Sequence, residues 1–397
     1  MGAALWSGLI IQANRPRPAL PVLDDGLYRY SGAIHVHSQF SDGSGSIDEI
    51  TAAAKRASLD YLVLTDHNTS ESAWASGKRE EGYRDSVLLI VGAEVNTSAG
   101  HLLALGLDRY VEQQGDSGLP ALLDTLAASG GLSIVAHPDG RRPWTNWSVG
   151  PFNGIELWNA DTEWRNDSLF ELVSGLLWYP LAPEAALNTV IDRPDSVIDR
   201  WVSMNAFQSV TGMGSIDAHA RIPLFVGMTL PFPSYGRMFT FIRTHVFLNA
   251  PLTGDATQDK SRLLGALRDG RCYAAVDGYE PARRFRFQLE SPEQNVDTGG
   301  NIALTGGLYV KIKAESSGPV LIRLFRNGLP VAESTQMDWT VPVPGPGFYH
   351  AEVYQLRRWL PFTAPIPRLW IVSNGIRVTA VRSDEAVTSD EAVTRDE

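Results

Sequence analysis

Ser31-Gly32-Ala33-Ile34-His35-Val36-His37 and Tyr61-Leu62-Val63-Leu64-Thr65-Asp66-His67 are two short, largely apolar runs, and each closes on histidine. Between them Ser46-Ile47-Asp48-Glu49 forms a capping box, with Ser46 as N-cap and Glu49 three residues on, and it opens a helix through Lys55. Strand, helix and strand at this spacing imply parallel strands joined by a crossover helix. Further along, Val87–Glu94, His101–Leu107, Leu132–Ala136, Gly154–Trp158 and Gly214–Asp217 read as strands, and Leu119–Ala128 as a helix ended by Gly130-Gly131. About seven such units predict an α/β chain closed, or nearly closed, into a barrel over residues 28–282, with its chemistry at the C-terminal ends of the strands.

Residues 162–212 interrupt this pattern. The spacing of Leu169, Leu172, Val173, Leu176 and Leu177 predicts helix there, in an insertion near the barrel mouth. The texture changes again near residue 283. Phe285–Leu289, Tyr309–Lys313, Val320–Arg326, Phe348–Tyr354 and Leu369–Arg377 are mostly alternating strand candidates, and Asn327-Gly328 is a hairpin turn signal. Residues 283–381 therefore read as a small antiparallel β-sandwich beside the barrel. The tail 382–397 repeats Ser383-Asp384-Glu385-Ala386-Val387-Thr388 as Ser389-Asp390-Glu391-Ala392-Val393-Thr394, is acidic, and is expected to be disordered. Residues 1–27 form an N-terminal extension. Its apolar run at 4–11 lacks the basic flank of a signal peptide and reads as disordered or loosely docked, the alternative being a signal remnant.

The chain has 397 residues, long enough for one large and one small domain. A formal charge of −11 argues against a nucleic-acid backbone as partner, since that contact needs a positive face. No stretch reaches the length of a membrane span. The single cysteine, Cys272, forbids an intrachain disulfide and a thiolate metal site, so any metal must be held by nitrogen and oxygen. A free thiol fits a reducing compartment, so a cytoplasmic location is expected, with an exported form bearing a truncated signal as the alternative.

Six of the eight histidines stand near predicted strand ends, with carboxylates beside them. They are His35, His37, His67, His101, His137 and His219, accompanied by Asp42, Asp66, Glu94 and Asp217. Imidazole and carboxylate are the ligands that borderline divalent metals prefer, and so many dispersed groups suggest a multinuclear centre. His35 and His37, two apart on a strand, are expected on one face, and Asp217 and His219 repeat that logic. Glu94 ends a long apolar run. It either faces solvent or is neutralised by a cation, and its two oxygens suit it to bridge two ions. Asp42 reads as a ligand or as a turn aspartate, and Asp66 as a group behind the ligands.

In this order the motifs resemble the polymerase and histidinol phosphatase (PHP) superfamily: His-x-His, then Thr-Asp-His, a Glu, two isolated His and a final Asp-x-His. The resemblance covers about residues 28–280, and the sandwich with Trp370-Ile371-Val372-Ser373-Asn374 is similar to the branch that includes carbamate (carbaryl) hydrolases. It implies a distorted (βα)7 barrel holding two or three divalent ions, usually zinc, manganese or iron. In the implied layout His35, His37, Glu94 and Asp217 hold the first ion. Glu94 bridges to a second held by His101 and His137, while Asp42, His67 and His219 hold a third.

The expected activity is ester hydrolysis by a metal-bridging hydroxide, with Glu94, Asp217 and His219 nearest the chemistry. A small-molecule phosphoester leads; a carbamate or carboxylic ester on the same centre, or a non-catalytic metal-stabilised binding module, are the alternatives. Arg141, Arg142 and Arg221 either clamp phosphate oxygens or solvate their loops. Trp144, Trp147, Trp158 and Trp164 either line an apolar pocket or pack the insertion onto the barrel. His245 reads as part of an ordinary strand, or as a proton donor in the segment that also carries Tyr235 and Arg243.

Overall fold

A computed structural model describes residues 2–112, 118–166, 168–225, 228–230, 232–358 and 363–380. The tail at 382–397 lies outside the described residues.

The opening motif folds as its sequence dictates. Strands Tyr28–Val36, Tyr61–Leu64 and Val87–Val91 run parallel, with Gly32 opposite Tyr61 and Tyr61 opposite Leu88. The crossover helix Ile47–Arg56 carries the complete capping box: the Ser46 hydroxyl accepts from the Glu49 amide, and the Glu49 carboxylate accepts from the Ser46 amide at 2.9 Å. Both faces of this sheet are covered, which is why its strands are nearly all apolar. Ala33, Leu62, Leu64, Leu89 and Val91 pack into one core, while Ile34, Tyr61, Val63, Leu88 and Ile90 pack into another.

The expected single strand Val87–Glu94 is broken at Gly92. A Cβ there would lie 2.5 Å from the Ala104 carbonyl oxygen, so only glycine lets the chain pass. Val87–Val91 stays in the first sheet, and Ala93–Thr97 starts a second with Gly100–Leu105, Leu132–Val135, Gly154–Asn159 and Thr211–Ser215. The first two joins of this second sheet are antiparallel, and the last two are parallel. The closed barrel of parallel strands is therefore corrected. The strands that carry the histidine motifs fall in two of the four sheets among the described residues, of twelve and five strands, and neither closes on itself. They meet through isolated bridges, Val36 with Ala218 and His67 with Glu94, so the histidine-bearing ends of both sheets gather at one place.

On its other side Tyr28–Val36 pairs with Ile242–Leu248, which pairs with Cys272–Val276, and all of these contacts are antiparallel. Ile366–Ser373 then joins Cys272–Val276, so C-terminal strands extend the larger sheet instead of standing apart from it. A four-stranded antiparallel sheet built on Phe285–Glu290 and Tyr309–Ala314 completes that region. The Asn327-Gly328 turn forms as its sequence predicts, with both residues at positive φ and Arg326 opposite Leu329.

The insertion is helical, with Ala160–Asn166, Leu169–Trp178, Pro183–Asn188 and Asp195–Met204. Residues expected to be loose at the N-terminus instead form the helix Gly2–Ala13. Ile11 is buried against Ala185 and Ala186, and the Trp178 indole donates to Ser7 Oγ at 3.0 Å, so these contacts fix the helix on the insertion. Among the described residues no helix is long and apolar enough to cross a membrane.

Candidate metal centre

Glu94 sits at the middle of the histidines, almost wholly buried at 1% exposure. Its Oε2 lies 3.2 Å from His35 Nε2, His37 Nε2 and His67 Nδ1, and its Oε1 lies 2.5 Å from His101 Nδ1 and 2.9 Å from His137 Nε2. Asp217 Oδ1 approaches two of the same nitrogens, 3.3 Å from His35 Nε2 and 3.1 Å from His37 Nε2. Asp42 is half-exposed, with carboxylate oxygens 3.3 Å from His219 Nε2 and 3.6 Å from His67 Nε2.

Three overlapping groups have ligand atoms close enough to share a cation: His35, His37, Glu94 and Asp217; His67, Glu94 and His101; and His37, Asp42, His67 and His219. The first coincides with the expected set. The third contains the expected Asp42, His67 and His219 and adds His37, while the second has His67 where His137 was expected, because the His67 ring reaches both Glu94 and Asp42 and His137 Nε2 approaches Glu94 Oε1. His35 Nε2, His37 Nε2, His67 Nδ1 and Asp217 Oδ1 are buried without a hydrogen-bond partner, although each lies within 3.3 Å of another of these groups. Buried polar atoms of this kind are costly unless something else satisfies them. The donor set, imidazole nitrogen and carboxylate oxygen, fits a borderline divalent cation.

The charges point the same way. Burial alone would depress the His37 imidazole, but Asp217 and Glu94 push it up to about 10. Burial would raise the Glu94 and Asp217 carboxyls, yet the surrounding histidines hold both well below the usual range. A centre this rich in carboxylate favours any cation that reaches it.

The rings converge by a route that simple alternation does not describe. His35 has φ 69°, at a bulge between Ile34 and Val36, and His137 and Asp217 have φ 25° and 47°. Such conformations cost roughly 1–3 kcal/mol each and cluster at functional sites. Neighbouring groups brace the chain beside His35 and Asp217. The Tyr235 hydroxyl donates to the carbonyls of His37 and His219, at 2.7 and 3.1 Å. Asp66 accepts from the Ser38 amide at 2.7 Å, the Ser38 hydroxyl at 2.6 Å and the Ser41 hydroxyl at 2.5 Å, so it tethers the loop after His37.

Glu156 is the residue that sequence reading missed. It is buried in the strand Gly154–Asn159, with Oε1 2.7 Å from His35 Nδ1 and Oε2 accepting the His137 amide at 2.6 Å. Its signal was available: a carboxylate inside an apolar strand, the same cue that singled out Glu94. A carboxylate behind a histidine fixes its tautomer and orientation.

The centre opens into a cavity of about 600 Å³ bordered by Arg141, Arg142, Asp161, Trp164 and Arg165. Arg142 Nη1 reaches within 3.4 Å of His101 Nε2. A second cavity of about 480 Å³ adjoins it and is bordered by Arg221, whose guanidinium donates to the Asp42 carbonyl at 3.4 Å. Arg165 borders both and was not anticipated, because the docking of its helix is a tertiary matter. His245 is not part of the centre. It is buried in its strand, with Nε2 2.9 Å from Asp277 and its ring stacked on Tyr273. Of the four tryptophans only Trp164 lines these cavities; Trp144 and Trp158 are core residues, and Trp147 packs against Trp144 and the Arg200 guanidinium.

Residues 33–164 match the PHP domain family. The chain is 27% identical over 119 residues to an uncharacterized protein of Methanocaldococcus jannaschii, a match spanning 26% of this chain and 66% of that protein. It is 32% identical over 81 residues to the phosphoribosyl 1,2-cyclic phosphate 1,2-diphosphodiesterase of Eggerthella lenta, across 19% of this chain and 30% of that enzyme. The chain thus spans less than two thirds of either curated relative. Among solved structures it is similar to a two-domain Bacteroides vulgatus protein containing a predicted PHP-like metal-dependent phosphoesterase, with TM-score 0.40 and 16% identity over 89% of this chain and 99% of that one.

Proposed function

We propose that this chain is a metal-dependent hydrolase of phosphoric esters. The observation that carries the reading is the convergence of five histidines on Glu94, with buried ligand atoms that lack any hydrogen-bond partner. The PHP match supports it, and the name of the Eggerthella relative directs it toward phosphoric esters. Residues 28–282 are read as the catalytic unit and 283–381 as an accessory one.

His35, His37, Asp42, His67, Glu94, His101, His137, Asp217 and His219 would hold about two or three zinc, manganese or iron ions. Such ions, when bound, supply a nucleophilic water near neutral pH and offset charge developing on the attacked group. The side chains do the rest. Glu156 keeps the His35 ring aimed, and Asp66 keeps the loop after His37 in place. Arg141, Arg142 and Arg165 bind the anion's oxygens at the cavity wall. Glu94 and Asp217 orient the attacking water, and His219, at the border of the two cavities, hydrogen-bonds the leaving oxygen.

The test is to load the purified protein with manganese, zinc or iron and assay p-nitrophenyl phosphates beside aryl carbamates. Turnover of the phosphates, lost in His37→Ala, is the expected result. Turnover of carbamates alone, or of neither, overturns the proposal.

A further inference from the structure

The second cavity has an uneven wall. On the side of the metal centre it is bordered by Asp42, Asp161, Arg165, Asp217, His219 and Arg221. Its apolar lining includes Trp164, Leu187, Phe232, Met238 and Phe241, and of these only Trp164 also borders the first cavity. The aromatic part is braced: Phe232 stands edge-on to Tyr179 with ring centroids 4.4 Å apart and to Trp164 at 6.4 Å. Asp42, Asp161, Trp164, Arg165, Asp217 and His219 border both cavities, so the two share a seam at the metal centre. A volume of about 480 Å³ is within the range that holds a small organic group.

Polar at the seam and apolar beyond it is the pattern of a site that fixes one end of a ligand by charge and the other by burial. We infer that the cavity is a subsite for a large apolar, preferably aromatic, substituent of the substrate, whose anionic group lies at the seam beside Arg165. This rests on the phosphoesterase reading and narrows it to aryl or arylalkyl phosphoesters. Trp164 and Phe232 are the residues that set the preference. A ligand with only a small alkyl group leaves their faces in water and gains nothing from them.

Phosphonates test this without the reactivity differences of leaving groups. Methylphosphonate and 1-naphthylmethylphosphonate are titrated calorimetrically into the manganese-loaded full chain, and phenyl phosphate turnover is measured separately. The naphthylmethyl compound is expected to bind at least about tenfold more tightly, equivalent to about 1.4 kcal/mol. In Phe232→Ala and Trp164→Ala, both half-buried positions whose truncation the fold should tolerate, the ratio is expected to fall towards one. Equal affinities in the parent overturn the subsite while turnover of phenyl phosphate leaves the phosphoesterase reading standing. A preference undiminished in both variants also overturns it, because the apolar group then binds elsewhere. Absence of phosphonate binding together with absence of turnover overturns both.

Discussion

Replacing Glu156 by glutamine tests whether the residues behind the cluster control it. The carboxylate is acceptor-only and takes three donors: His35 Nδ1 at 2.7 Å, the His137 amide at 2.6 Å and Asn159 Nδ2 at 2.9 Å. His35 Nδ1 must therefore keep its proton when the ring gives one up to bind a metal, so that Nε2, facing Glu94 and Asp217, is the nitrogen that becomes available. Glutamine offers one oxygen. If it turns that oxygen to His137, its NH2 faces His35 Nδ1 and forces the opposite tautomer, with the proton on the nitrogen meant for a metal. If it serves His35 instead, the buried His137 amide goes unpaired, at a cost of roughly 1–3 kcal/mol. Either way metal affinity is expected to fall about 10- to 100-fold, or ~1.4–2.7 kcal/mol, the usual penalty for losing such a partner. Competition with a chromophoric chelator measures it, and circular dichroism checks the fold. A folded Glu156→Gln protein that binds metal and turns over like the parent would refute this reasoning.

Other outcomes follow from the same geometry. Asp66→Asn removes a charged acceptor from Ser38 and Ser41, so turnover should fall about tenfold or more while secondary structure stays at the parent level; unchanged turnover counts against the tether. In the metal-free protein His37 is pushed up to about 10, against about 6.5 in an unfolded chain. Its ion pairing therefore stabilises the metal-free fold fully below pH ~6.5, and that contribution is lost as pH rises through about 10. Metal must displace the same proton, so loading should release protons and tighten with pH over this window, as calorimetry in buffers of different ionisation enthalpy would show; loading without proton release contradicts it. His245→Ala strips the buried Asp277 carboxylate of its closest partner, leaving it Arg243 and the Ala282 amide, and should destabilise the fold by about 1–3 kcal/mol in thermal or denaturant unfolding. Its metal content should match the parent's, and selective metal loss would place His245 in the centre after all.

What the sequence made legible was local chemistry. The capping box at Ser46, the turn at Asn327-Gly328 and the histidine motifs are each written in a few adjacent residues. Pairing was harder. Nothing near Val87–Glu94 says that Gly92 passes the Ala104 carbonyl and hands the chain to another sheet, because that contact is twelve residues away. The same limit hid the antiparallel run from Ala93 to Val135. Glu156 carried a legible cue as a carboxylate inside an apolar strand, but its partners His35 and His137 are not written beside it. The tryptophans were open to two roles in sequence, and the structure divides them. Trp144 and Trp158 sit beside the motifs in sequence but fill the core, while Phe232 and Phe241, further along the chain, face the cavity. The N-terminal helix was unreadable for a similar reason, since Ile11 finds its partners at Ala185 and Ala186.

The account stands on one physical claim, that these imidazoles and carboxylates exist to hold cations. Elemental analysis of protein grown with manganese, zinc and iron addresses it directly, with Glu94→Gln alongside as a control. At least about one divalent ion per chain, falling several-fold in the variant, is the predicted result. Metal-free protein that keeps its full thermal stability when challenged with each ion would contradict it, because binding to the folded state alone must raise that stability.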